Sequence, residues 1–151
     1  MTAGDEPAPE QSQSLALQFD LPHPPEKVWR ALTDPALLAE WLLPVLDFTL
    51  EPGAAFTFQT QAYPGWDGTV HCQVVEIEPY RRLRYTWRVP FLDTVVTFTL
   101  TPTASETTPS GTRLDVVQSG FAPSQRREFG GARYGWTTMG AKLLHLLART
   151  P

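Results

Sequence analysis

Only one stretch of this 151-residue chain is both long enough and apolar enough on one side to cover a sheet. It runs from Arg126 to Arg149 and reads RREFGGARYGWTTMGAKLLHLLAR. Apolar residues recur at Phe129, Ala132, Trp136, Met139, Leu143 and Leu146 or Leu147. Spacings of three and four mark one face of a helix. Lys142, His145 and Arg149 fall away from that face, where basic groups suit the negative end of the helix. Four glycines interrupt the pattern, and each interior Gly costs a helix roughly 1 kcal/mol relative to Ala. Either the helix starts near Ala132 and Gly130-Gly131 are loop, or the glycines let something approach closely. The loop is the preferred reading for the first pair. Close packing is preferred for Gly135 and Gly140, which Trp136 and Met139 fix inside the periodic run.

Everything before this helix reads mostly in period two. Residues 1–13 are polar and Pro-containing, and a disordered tail is expected there. Residues 14–151 then form a single domain, which a chain of this length is large enough to fill with a core. Ser14 to Leu21 alternates as a first strand. In HPPEKVWRALTDPALLAEWLLP, Pro24, Pro25 and Glu26 suit a helix start, and Val28, Trp29 and Leu32 make its apolar stripe. Asp34-Pro35 breaks this helix and caps a second, with Leu37, Leu38, Trp41 and Leu42 as its stripe. Six strands follow, over Val45–Leu50, Ala54–Gln61, Thr69–Glu78, Leu83–Val89, Asp93–Thr101 and Thr112–Ser119. Short links between consecutive strands favour an antiparallel meander. Thr, Arg and Asp on one side of the strands mark a wet face. The dry face needs a cover, and the C-terminal helix is the candidate. The class is therefore α+β: seven antiparallel strands bent around one long helix, with two short helices after the first strand.

The net charge of −4 gives no nucleic-acid surface, and the basic cluster of Arg126, Arg127 and Arg133 reads as a solvated helix start. One cysteine, Cys72, excludes an internal disulfide and a cysteine-built metal site. No apolar run approaches the roughly 18 residues of a membrane helix, so no membrane insertion is expected. The acidic, Pro-rich N-terminus is unlike a signal peptide, and the expected location is the cytoplasm.

Three segments in order resemble a known family. PPEKVWRALTDPALLAEW is similar to the amino-terminal signature of the START-like (SRPBCC) superfamily, in the branch of homologues of the heat-shock chaperone ATPase activator. GTVHCQVVEIEPYRRLRYTW resembles that branch's central segment, and Gly120-Phe121 followed by Gly135-Trp136 resembles its carboxy-terminal signature. The resemblance covers about Leu15 to Leu147. It implies a helix-grip fold with a deep pocket between sheet and helix. It implies several functions: hydrophobic-ligand carriers, cyclases, self-resistance proteins and a chaperone-activating domain. Fold does not choose among these.

The residues themselves offer no catalytic constellation. His23, His71 and His145 stand beside no Ser, Cys or carboxylate in a recognisable pattern, and all three are expected at the surface. Cys72 is expected in the core as a small hydrophobe. There is no metal-ligand spacing, phosphate loop or nucleophile elbow. No cofactor is called for.

Aromatic richness is the stronger signal, with five Trp, eight Phe and four Tyr. Trp29 reads as core, while Trp41, Trp66, Trp87 and Trp136 fall in separate elements that the fold would bring around one cavity, with Tyr63, Tyr85 and Phe98 nearby. Gln118 is expected to face inward beside Leu114 and Val116, and Arg133 to reach the pocket mouth. Apolar walls with a few polar groups hold small molecules. The expected function is thus binding of a small hydrophobic or aromatic molecule. A cyclase or hydrolase using the pocket's polar groups is the alternative, and a chaperone-associated interaction module a further one. Whether the protein is an enzyme, and whether two copies pair as a homodimer, stays open.

Overall fold

The computed structural model describes residues 13–62 and 64–151. The expected tail, apart from Gln13, and the aromatic Tyr63 lie outside the described residues. The elements run β1 (Gln13–Leu21), α1 (Pro25–Thr33), α2 (Pro35–Trp41), β2 (Val45–Leu46), β3 (Ala55–Gln59), β4 (Thr69–Glu78), β5 (Arg82–Val89), β6 (Leu92–Thr103), β7 (Gly111–Phe121) and α3 (Arg126–Ala148). All neighbouring strands pair antiparallel, in the order β1-β7-β6-β5-β4-β3-β2. This is the helix-grip arrangement: a curved seven-stranded sheet, a C-terminal helix and two short helices after the first strand.

Alternation decides which face of each strand is dry. On β6, Thr94, Val96, Phe98 and Leu100 are buried while Val95, Thr97 and Thr99 are half-buried on the other face. On β7, Leu114, Val116 and Gln118 point the same way. The register places Phe98 opposite Val116 and Leu17 opposite Val116 on the other side, so the dry face is continuous across three strands. A bulge between Val74 and Glu76 on β4 helps the sheet bend.

Asp34 closes one helix and opens the next. Its backbone N–H donates to the Arg30 carbonyl at 2.9 Å, and its Oδ1 accepts from the Ala36 N–H at 2.9 Å. Such a cap stabilises a helix by about 1 kcal/mol. One expected strand is much shorter than its alternation suggested. Only Val45 and Leu46 pair with β3, because Asp47 turns the backbone into the left-handed region at φ 62°.

The long helix also differs from the preferred reading. It begins at Arg126 and runs straight through Gly130 and Gly131, so that pair is helix and not loop. Its two halves do different work. In the C-terminal half, Leu143, Leu146 and Leu147 are buried and seal the core, and Gly140 lets the helix approach the Phe19 ring of β1. In the N-terminal half Phe129 packs edge-on against Phe121 of β7 at 5.2 Å, and between it and Trp136 the residues turned to the sheet are the small Gly131, Ala132 and Gly135. The core therefore stops short of that end of the sheet.

Candidate ligand cavity

Where bulky side chains stop, a cavity of about 460 Å³ opens between the N-terminal half of α3 and the sheet. Its helix wall is Arg127, Glu128, Gly131, Ala132, Gly135, Trp136 and Met139. Its sheet and loop walls include Leu43, Thr60, Trp66, Val70, Trp87 and Gln118. The β5–β6 turn contributes Val89, Phe91 and Leu92. Arg127 and Gly131 are exposed, which places the mouth at the start of α3. The size falls in the range that holds a drug-sized molecule.

Aromatic pairs line two sides. Trp87 and Trp136 sit 5.6 Å apart between ring centroids, tilted by 54°. Trp66 meets Phe91 edge-on at 5.9 Å, so the loop after β3 and the β5–β6 turn touch at the rim. The Trp66 indole N–H donates to the Thr69 carbonyl at 2.9 Å, which fixes that ring to its own loop. The turn is held to α3 by Gln125, whose Nε2 donates to the Phe91 carbonyl at 2.8 Å.

The most deeply buried polar side chain of the lining is Gln118, 2% exposed. Its Oε1 accepts the Trp136 indole N–H at 2.8 Å, and its Nε2 donates to Thr94 Oγ1 at 2.9 Å. Thr94 Oγ1 in turn donates to the Trp87 carbonyl at 2.8 Å. An indole N–H can only donate, so the orientation of the amide is forced. This chain of bonds ties β5, β6, β7 and α3 together and sets the Trp136 ring. A primary amide carries two N–H groups. Only one is used here, and among the described residues the second has no acceptor.

The sequence-derived candidates divide into two sets. Trp66, Trp87, Gln118 and Trp136 come together around the cavity. Trp41, Tyr85 and Phe98 do not reach it. Trp41 is 2% exposed, and its indole donates to the Ala31 carbonyl at 2.9 Å, which makes it the pin between α1 and α2. Tyr85 and Phe98 are buried in a layer behind the wall, with ring centroids 5.7 Å apart and Phe98 edge-on to Trp136 at 5.8 Å. Burial pushes the Tyr85 hydroxyl pKa well up.

Arg133 also lies away from the mouth. It is exposed, with its guanidinium 5.6 Å from the Phe129 ring centroid. At about 100° per residue, position 133 is roughly 200° around the helix from Gly131. The arginine of the stripe that faces the cavity is Arg127.

Two cavity residues that the sequence reading assigned otherwise are Gly131, to a loop, and Gly135, to a close-packing contact. A Cβ built at either meets nothing within 4 Å, so close packing explains neither. At Gly140 the opposite holds, and the Phe19 ring fills the space. The signal was present in the sequence as two helix glycines spaced by four, one above the other on one face. Phe91 was missed as well, although an apolar ring directly after Pro90 in a turn is itself a sign of something to cover.

His71 and His145 are exposed, and His23 is half-buried with Nδ1 3.3 Å from Lys27 Nζ. Burial, and then the Lys27 charge, lower the His23 pKa. None of the three lines the cavity. Among the described residues no group of three or more His, Cys, Asp or Glu side chains is placed to hold a metal ion, and no helix is long and apolar enough to cross a membrane.

The family model for Activator of Hsp90 ATPase homolog 1-like protein matches residues 22–148. Among solved structures, MLL2253 from Mesorhizobium loti shares 43% identity with a TM-score of 0.82, over 92% of this chain and 99% of that one. CV1439 from Chromobacterium violaceum shares 29% identity with a TM-score of 0.73, over 91% and 98%. DynU16, a protein of the dynemicin biosynthetic locus, shares 25% identity with a TM-score of 0.73, over 90% of this chain and 47% of that one. No curated protein matches the chain.

Proposed function

The chain belongs to the family of Activator of Hsp90 ATPase homolog 1-like proteins, and from that premise we propose that it binds a small, mostly apolar, aromatic molecule between α3 and the sheet. The observation that carries this reading is the cavity of about 460 Å³, walled by Trp66, Trp87 and Trp136 with the buried Gln118 amide among them. Aromatic and apolar walls with one or two fixed polar groups are the usual chemistry of small-molecule sites. A protein that needed only a core would close this space. Here the helix presents Gly131, Ala132 and Gly135 to it instead.

Binding is favoured over turnover by what the lining contains. Among the described residues it has no His, Cys or Ser, and its one carboxylate is Glu128 at the first turn of α3. Gln118 is engaged by Trp136 and Thr94, so it serves better as a fixed anchor than as a moving proton carrier. The likeness to a protein of the dynemicin biosynthetic locus sets one bearer of this fold in a biosynthetic setting, which supports a small-molecule role.

Native mass spectrometry of the freshly purified protein, beside the denatured chain, tests the reading. The expected result is a mass excess that vanishes on denaturation, or a bare chain whose Trp fluorescence changes on titration with aromatic compounds. A bare chain that responds to no aromatic compound, with Trp emission unaltered throughout, refutes it.

A further inference from the structure

Resting on the binding reading above, we propose that the cavity is a slot for a flat, fused-ring aromatic whose oxygen acceptor, a carbonyl or phenol, meets the spare N–H of Gln118. Two independent observations converge on this class.

The first is the shape of the walls. Gly131 and Gly135 lie four residues apart on one helix face, about 6 Å along the axis. With Ala132 between them, this wall is backbone and one methyl group over a full turn. The absent side chains are not required by the protein's own packing, since a Cβ at either glycine meets nothing within 4 Å. The same cavity is lined by the planar rings of Trp66, Trp87 and Trp136, the last two 5.6 Å apart. Rings favour offset or edge contacts with other rings. A flat guest satisfies both walls at once, whereas a twisted or globular one meets the helix backbone.

The second is an unfinished hydrogen bond. Gln118 is 2% exposed, lines the cavity, and spends one of its two N–H groups on Thr94. Its carbonyl is committed to Trp136, so the amide cannot turn to hide the free donor. Its nitrogen already has one partner in Thr94, and the second N–H is the polar group this part of the lining has left to offer, which a guest carrying an oxygen at its inner edge accepts. A pure hydrocarbon does not.

Four probes and three variants separate these claims. Fluorenone is flat and carries a carbonyl; fluorene has the same skeleton without it; benzophenone has the carbonyl on a twisted frame; dodecanoate is a flexible chain. Affinities are read by quenching of Trp fluorescence and by calorimetry. Fluorenone is expected to bind about tenfold tighter than fluorene and than benzophenone. Gly135→Ala and Gly131→Ala are each expected to weaken fluorenone by about tenfold, while their melting temperatures hold or rise. Gly130→Ala, outside the lining, raises the melting temperature and leaves the affinity unchanged. Should benzophenone or dodecanoate match fluorenone, or should Gly135→Ala leave its affinity intact, the slot is refuted while the cavity still binds. Should no probe of the four bind, and the purified chain be bare, the binding reading itself fails and the slot with it.

Discussion

Gly140→Ala offers a direct test of how α3 is seated. On an isolated helix this exchange stabilises by about 1 kcal/mol, because Ala loses less backbone freedom on folding. In this fold the added methyl would overlap the Phe19 ring of β1, with Cζ 2.5 Å from the new Cβ. Forcing an extra carbon into a filled site costs about 1–3 kcal/mol. The net expectation is a loss of up to about 2 kcal/mol against the propensity trend. Gly130→Ala supplies the reference. It is in the same helix, a Cβ there meets nothing within 4 Å, and it should gain about 1 kcal/mol. The difference between the two variants isolates the overpacking cost, about 1–3 kcal/mol. Urea unfolding followed by far-UV circular dichroism, with the slope unchanged, gives each value. Adding Phe19→Leu to Gly140→Ala should recover part of the loss, because the ring atoms that clash are gone. If Gly140→Ala is as stable as Gly130→Ala, Phe19 swings aside freely. The account of Gly140 as the contact point between α3 and β1 is then wrong.

Two further outcomes follow from the buried polar groups. Gln118→Leu leaves the Trp136 indole N–H without its acceptor, and should cost about 1–3 kcal/mol in urea unfolding and shift Trp emission; an unchanged midpoint and spectrum would show that the amide does not hold the ring. Burial pushes the Cys72 thiol from 9.0 up to about 12. The folded-state value is raised, so its contribution to stability is complete below pH 9 and is lost as pH climbs from 9 through about 12. Native protein should resist iodoacetamide at about pH 8 while urea-unfolded protein reacts, and the gap in stability between the parent and Cys72→Ala should narrow over that alkaline window. Rapid labelling of the native protein would refute the burial of the thiol.

Most of the fold was legible because its signals are local. Alternation along Leu92–Thr103 survives in the structure as alternating burial, and Asp34-Pro35 carries its break and its cap within two residues. The errors came where a local rule met a tertiary opportunity. Val45–Leu50 has a strand-like composition, but pairing stops when Asp47 turns at φ 62°. Gly130 and Gly131 argue against helix by propensity, yet they are helical. The propensity cost of two glycines is about 2 kcal/mol. Burying Leu143, Leu146, Leu147 and Trp136 on the same helix is worth more, at about 1.5–3 kcal/mol for each large side chain. The anchored half carries the glycines with it.

The cavity was legible only in part, for a reason that burial alone cannot supply. Trp41, Tyr85, Phe98 and Trp136 are all nearly inaccessible, and their sequence contexts look alike. What separates core from lining is the position of the helix above each strand. Tyr85 and Phe98 sit beneath the layer that Trp136 completes, so their rings meet other rings. Trp87, two residues beyond Tyr85 on the same face of β5, lies under the end of α3 where Gly131 and Gly135 offer nothing to touch. A shift of two residues along one strand converts a core aromatic into a wall of the cavity. That boundary is set by where the side chains of α3 change from Leu to Gly. The glycine spacing, more than the count of tryptophans, marks where α3 walls the cavity.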